Sequence, residues 1–145
     1  MAPLGDNPFA ALTVVVAPAI LTNATSVLCL GTGNRIARVV DRTRIVARDL
    51  AGLEVGSQAR DISVRQLVRL QERAQILFRA LRLFYTALGS FAATVLISIA
   101  GAAFAGVDRP SVFGVLAAIA FASGTIGVSG LAVGCGLMVR ETRLP

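Results

Sequence analysis

The chain has 145 residues, of which 55% are hydrophobic and only 15% are charged, and its formal net charge is +6. A soluble domain would carry about 25% charged residues, so this composition excludes an ordinary soluble protein and indicates a membrane protein. The basic residues are all arginines, whose guanidinium groups suit phosphate, so we expect membrane lipids with anionic headgroups or an acidic protein as partners.

Three apolar stretches predict three transmembrane helices, over about 9–33, 83–107 and 111–139. Each exceeds the roughly 20 residues with which a helix crosses a hydrocarbon core of about 30 Å. The residues before the first stretch include Asp6 and no basic residue, the reverse of a signal-peptide leader, so we interpret this stretch as a retained span. Between the second and third stretches, Asp108 can cap a new helix and Pro110 suits its first turn, which predicts a tight connection.

The first span carries a polar stripe. Within about a third of the helix circumference lie Thr22, Thr25, Ser26 and Cys29, with Asn23 to one side. Polar side chains in a membrane helix face protein or water rather than lipid. The polar stripe therefore either lines a hydrated pore or packs against another helix, with its hydroxyls bonded to their own backbone; we favour packing.

The segment from Asn34 to Arg82 holds eleven of the fourteen arginines. Two more arginines follow the third span, so thirteen lie on one side of the membrane, and only Arg109 lies on the other. Because basic residues are retained in the cytoplasm, this asymmetry places the N-terminus outside and the C-terminus inside.

Helical periodicity continues through the arginine-rich segment. Apolar residues recur at helical spacing after the first span, Gly52 and Gly56 mark a turn, and Asp61 or Ser63 is the predicted N-cap of the next helix. An unbroken heptad then leads into the second span through Leu67, Leu70, Ala74, Leu77, Leu81, Phe84 and Leu88. We therefore predict an all-α membrane protein with a single domain over 1–145, whose first two helices extend as a cytoplasmic antiparallel hairpin over about 34–82.

This predicted hairpin has two candidate roles. Near the membrane plane it could contact anionic lipid or an acidic partner through Arg35, Arg38, Arg42, Arg79 and Arg82. Alternatively it is a solvated face that enforces topology, because carboxylates are interleaved with the arginines at helical spacing; we favour this interpretation. The arginines are not interleaved with stacking aromatic residues, so we expect no nucleic acid as a partner.

The third span is rich in small residues. Its candidate packing positions are Gly124, Gly127, Gly130 and Gly134, of which the last two form a small-xxx-small pair. Such a helix suits close packing, either within the chain or between copies. Because three helices bury little surface on their own, we expect a homo-oligomer or a subunit of a larger membrane complex.

The sequence gives no support for catalysis. It has no histidine, which is the commonest general base and a frequent metal and haem ligand. The three spans contain no carboxylate that could relay protons or cations. We therefore expect no enzyme, no catalytic or metal-binding residues and no cofactor.

Short motifs connect the chain to a known family. With Pro-Ala-Ile at Pro18–Ile20, the run NRIARVVDRTR at Asn34–Arg44 and Val-Phe-Gly at the start of the third span, the sequence resembles the small bacterial membrane proteins grouped as domain of unknown function 2721. The resemblance implies a three-span protein of the bacterial inner membrane and brings no established activity. Some members have an acidic residue within the third span, whereas here that stretch stays apolar until Glu141.

Two functional hypotheses follow from the sequence. In the first, the protein is a non-catalytic structural or accessory subunit that assembles through its membrane helices and its basic cytoplasmic hairpin. In the second, it is a homo-oligomeric ion channel or transporter whose first helix lines the pathway.

Overall fold

The computed structural model describes residues 8–104 and 110–143. Within these ranges the chain forms three helices and no strand: α1 (Pro8–Ala51), α2 (Gln58–Phe104) and α3 (Pro110–Thr142). All three are long and apolar enough to cross a membrane. The prediction of an all-helical, multi-pass membrane protein is thereby confirmed, while the predicted cap at Asp108 and the arginine predicted to lie on the outer side, Arg109, are outside the described residues.

Two of the helices are much longer than a membrane span. α1 has 44 residues and α2 has 47, which correspond to about 66 and 70 Å at 1.5 Å per residue. α1 continues through Pro18 without ending there. The apolar span and the arginine-rich segment therefore belong to the same helix in both α1 and α2.

The turn between α1 and α2 covers residues 52–57. Gly56 has φ 89°, in the left-handed region that favours glycine. The hydroxyl of Ser57 accepts a bond from the backbone N–H of Arg60 at 3.3 Å, which makes Ser57 the N-cap. The predicted caps were wrong by one to two turns: Asp61 lies inside α2, and the Ser63 hydroxyl donates to the Ala59 carbonyl within the helix.

α2 lies at the centre of the fold and packs against both α1 and α3. Its predicted heptad is the inward face: Leu77 and Phe84 are fully buried, and the other five heptad residues are half-buried. Where all three helices meet, Phe84 and Ala80 form a cluster with Cys29 of α1, and Leu131 of α3 packs against it.

Phenylalanines of α2 lie against glycines of α3. A Cβ atom added at Gly134 would lie 2.5 Å from Cε1 of Phe84, and one at Gly127 would lie 2.6 Å from Cε1 of Phe91. The residue numbers rise by seven along α2 and fall by seven along α3, so the two helices run in opposite directions. The Ser123 hydroxyl of α3 also donates a hydrogen bond of 2.9 Å to the Ser90 carbonyl of α2.

Candidate functional site

A buried carboxylate lies at the end of α3. Glu141 occupies the last turn of that helix, and its side chain is only 8% exposed. The free carbonyls at a helix C-terminus carry a partial negative charge, so a carboxylate in this position is disfavoured by the helix itself. Its burial therefore requires positive groups from elsewhere in the fold.

Two arginines from the other helices supply that charge. Arg35 of α1 donates from Nη1 to Oε2 of Glu141 at 3.3 Å, and Arg73 of α2 donates from Nε to Oε1 at 3.1 Å. Each carboxylate oxygen thus accepts one charge-assisted hydrogen bond, from a different helix. We call these three residues the tri-helix ion cluster.

The tri-helix ion cluster is suited to holding helices together. One negative and two positive charges leave a net charge of +1, and the guanidinium side chains remain 43% and 37% exposed. One turn away, the Thr32 hydroxyl of α1 donates to the Leu28 carbonyl at 2.8 Å and lies in contact with the sulfur of Met138 of α3, at 3.8 Å. Because both Glu141 oxygens accept bonds from arginine, the carboxylate is better placed to fix the end of α3 than to move a proton. Within 8–104 and 110–143, no group of three or more His, Cys, Asp or Glu residues could hold a metal ion.

The arginines predicted to contact lipid or a partner fall into two groups. Arg35 belongs to the tri-helix ion cluster, so part of its bonding capacity is directed inward. The remaining four are exposed on the surfaces of α1 and α2: Arg38, Arg42, Arg79 and Arg82. They are free to meet water, headgroups or protein.

The polar stripe of α1 lies largely against the rest of the chain. Thr25 and Cys29 are buried, and Thr22 and Ser26 are half-buried. The three hydroxyls donate to their own helix at carbonyls four residues earlier, over 2.6–2.9 Å. Asn23 differs, since it is exposed on the outer side of α1.

All four predicted packing glycines of α3 face α2. Gly127 and Gly134 are buried beneath phenylalanine rings, Gly130 lies next to Ala87, and Gly124 lies next to Thr94. At these four positions α3 therefore packs closely against α2 of the same chain.

Two residues of the tri-helix ion cluster escaped the sequence analysis. Arg73 was one of eleven arginines in its segment, and nothing in its spacing distinguished it. Glu141 had a detectable signal, because an acidic residue in the last turn of a helix opposes the helix dipole. Its two partners lie 106 and 68 residues away along the chain, and local patterns do not reveal such distances.

Between Val64 and Phe78, in the part of α2 beyond the membrane span, one exposed side carries no charge. Val64, Val68 and Phe78 are 43%, 50% and 50% exposed, and Gln71 and Gln75 lie between them in an exposed three-four pattern. We call these five residues the uncharged stripe. At 100° per residue it is well separated from the buried heptad, while the exposed charged residues between Val64 and Phe78 occupy a third side: Arg65, Arg69 and Glu72.

Comparison with known families gives one match. A family model described as protein of unknown function (DUF2721) matches residues 15–144, nearly the whole chain. None of the curated proteins and none of the solved structures matches it. The function must therefore be inferred from the geometry of the chain itself.

Proposed function

This chain belongs to the DUF2721 family, and from that premise we propose that it is a non-catalytic accessory protein of the bacterial inner membrane that assembles with copies of itself. In this proposal the N-terminus faces outward, and the segment around 34–82 forms a helical hairpin in the cytoplasm. Thirteen arginines on the inner side support this orientation.

The observation that carries the proposal is the uncharged stripe. It lies on a helix that is otherwise rich in arginine, in a part of the chain that extends beyond the membrane span. Three apolar side chains, each about half exposed, and two glutamines occupy its five positions at heptad spacing. Exposed apolar residues grouped on one side of an otherwise charged helix are typical of a protein–protein contact, and heptad spacing is typical of helices that pack side by side.

A second copy of the chain is the partner that fits this surface best. Copies inserted with the same orientation bring their α2 helices together in parallel, so each residue of the stripe meets its own counterpart. Apolar and amide side chains tolerate such self-pairing, whereas arginines that meet their own counterparts repel one another. Beyond Phe78 the same side of α2 carries exposed Arg82 and then, within the membrane span, exposed Gly89, where an added Cβ would meet no atom within 4 Å. This leaves room for a close helix approach.

Disulfide trapping tests this assembly. We expect Gln75→Cys, in a Cys29→Ser and Cys135→Ser background, to give a covalent dimer on mild oxidation of native membranes. Gln71→Cys should behave in the same way because it lies one turn away on the same stripe. Arg69→Cys is the matched control, because Arg69 is also exposed on the same helix but faces another side. The measurement is the dimer fraction on non-reducing gels.

Strong trapping at the glutamines with little at position 69 would support parallel self-association. Equal trapping at all three positions would indicate random collision and would overturn the proposal. Monomer alone at every position would also overturn it, since the stripe would then be free of a second copy.

The alternative of a homo-oligomeric channel lined by α1 requires the polar stripe to be wet. Ser26 is half-buried, and its hydroxyl is bonded to the Thr22 carbonyl at 2.9 Å, which favours packing over a pore. We therefore expect Ser26→Cys to resist membrane-impermeant thiol reagents applied from either side of sealed vesicles. Exposed Cys135 is replaced by serine, and Arg38→Cys is the accessible control. Rapid labelling of Ser26→Cys would revive the channel.

A further inference from the structure

An apolar groove runs along the outer surface between α2 and α3. Its volume is about 650 Å³, and its walls include Leu83 and Thr86 of α2 and Phe121, Thr125, Ser129 and Val133 of α3. From Phe121 to Val133 the groove follows twelve residues of helix, or about 18 Å. This length is slightly more than one leaflet of a hydrocarbon core about 30 Å thick.

One end of the groove is basic. Arg79 precedes Leu83 by four residues and Thr86 by seven, so it lies on the same side of α2 as the groove wall. Arg140 follows Val133 by seven residues and is placed in the same way on α3. Both arginines are exposed.

The helix pairing places these arginines at the same level. Phe84 lies against Gly134 and Phe91 against Gly127. Continued toward the arginines, this pairing sets Arg79 opposite residue 139, next to Arg140. Among residues 8–104 and 110–143, the two ion pairs are those of Glu141 with Arg35 and Arg73, so neither arginine at the groove end forms an ion pair with a protein carboxylate.

We propose that this groove binds an anionic phospholipid of the cytoplasmic leaflet. One acyl chain lies along the apolar walls, and the phosphate meets Arg79 and Arg140 at the end. Guanidinium groups bind phosphate oxygens through paired, charge-assisted hydrogen bonds. Two arginines on different helices can approach one phosphate from both sides, which an isolated basic residue at the membrane surface cannot do. Separate variants test this site and self-association, because the uncharged stripe ends at Phe78 and the groove wall on α2 begins at Leu83.

Lipid binding to the purified full-length protein tests this site. The probe is phosphatidylglycerol, with phosphatidylcholine as the zwitterionic comparison, titrated in detergent and followed by native mass spectrometry. We expect the Arg79→Gln, Arg140→Gln double variant to bind phosphatidylglycerol about tenfold more weakly. The Arg65→Gln, Arg69→Gln variant loses the same charge away from the groove and should change binding by less than about twofold.

A second variant separates the groove from diffuse attraction. Ser129→Trp fills the groove from an exposed position on its wall while leaving every arginine in place, and we expect it to weaken phosphatidylglycerol binding as well.

If both double variants lost the same binding affinity and Ser129→Trp kept its affinity, net charge alone would explain the lipid binding and the proposal would be overturned. Unchanged lipid binding together with loss of dimer in Ser129→Trp would assign the groove to a second copy and also overturn it. If free phosphate competed for the site as well as the lipid does, the acyl chain would contribute nothing to binding and the proposal would be overturned. Disulfide trapping at Gln75→Cys reports separately on self-association.

Discussion

Gly134→Ala is expected to lower the free energy of unfolding by about 1–3 kcal/mol, the usual cost of overpacking a well-packed core. The new Cβ would lie 2.5 Å from Cε1 and 2.9 Å from Cδ1 of Phe84. The ring cannot simply move aside, because Phe84 is fully buried and lies in the cluster with Cys29 and Ala80. The helices must therefore separate locally. The measurement is an unfolding titration of the purified protein in mixed micelles with increasing SDS.

Gly136→Ala is the matched control. It makes the same change two residues away on the same helix, where the added Cβ meets no atom within 4 Å. The helix propensity of alanine should leave its stability unchanged or slightly raised.

A shortened side chain at position 84 supplies a rescue test. Phe84→Leu removes the ring and creates space, so it should cost stability on its own but less in the Gly134→Ala background. If Gly134→Ala were as stable as Gly136→Ala, or if the two changes were additive, the contact between the ring and the glycine would not limit the packing.

The features that were predictable from the sequence are those with local patterns. Long uncharged runs identify the three helices because a bilayer excludes charge over a known length. The heptad from Leu67 to Leu88 identifies the inward face of α2, since one helix turn brings its residues to a common side. These patterns needed no information about neighbouring helices.

The features that were not predicted depend on contacts between residues that are far apart along the chain. The glycines of α3 and the phenylalanines of α2 were visible separately, but their register is set by how the rings fit between the helices. Ser57 was overlooked as a cap because the patterns at Asp61 and Ser63 are equally good locally, and the turn decides where the helix begins. In the sequence, Glu141 is distinguished only as the first acidic residue after the apolar third span.

Glu141→Gln is expected to destabilise the protein by about 1–3 kcal/mol. A fully buried ion pair costs about 3–5 kcal/mol when one partner is removed, and we reduce this value because Arg35 and Arg73 are 43% and 37% exposed, where water screens their charge. The glutamine keeps the shape but presents one carbonyl oxygen to two guanidinium groups, so one of them faces an N–H donor. The measurement is the same SDS titration. Glu72→Gln is the control, because that carboxylate is exposed and its loss should change stability by less than about 0.5 kcal/mol.

Double-mutant cycles locate the effect at the three-helix junction. If Glu141 joins α3 to both other helices, it should couple separately to Arg35→Gln and Arg73→Gln, by about 0.5–1.5 kcal/mol each. Coupling to only one arginine would mean that the carboxylate stabilises a pair of helices rather than all three.

No coupling to either arginine, with a large effect of Glu141→Gln alone, would instead point to a local effect of Glu141 on the end of α3. A carboxylate in the last turn opposes the helix dipole, so a purely local effect predicts that Glu141→Gln stabilises the protein. The junction of three helices predicts that Glu141→Gln destabilises it, so the sign of the change distinguishes the two explanations. If Glu141→Gln lowers stability and Glu141 couples to both Arg35 and Arg73, then arginines from both α1 and α2 hold the end of α3 in place.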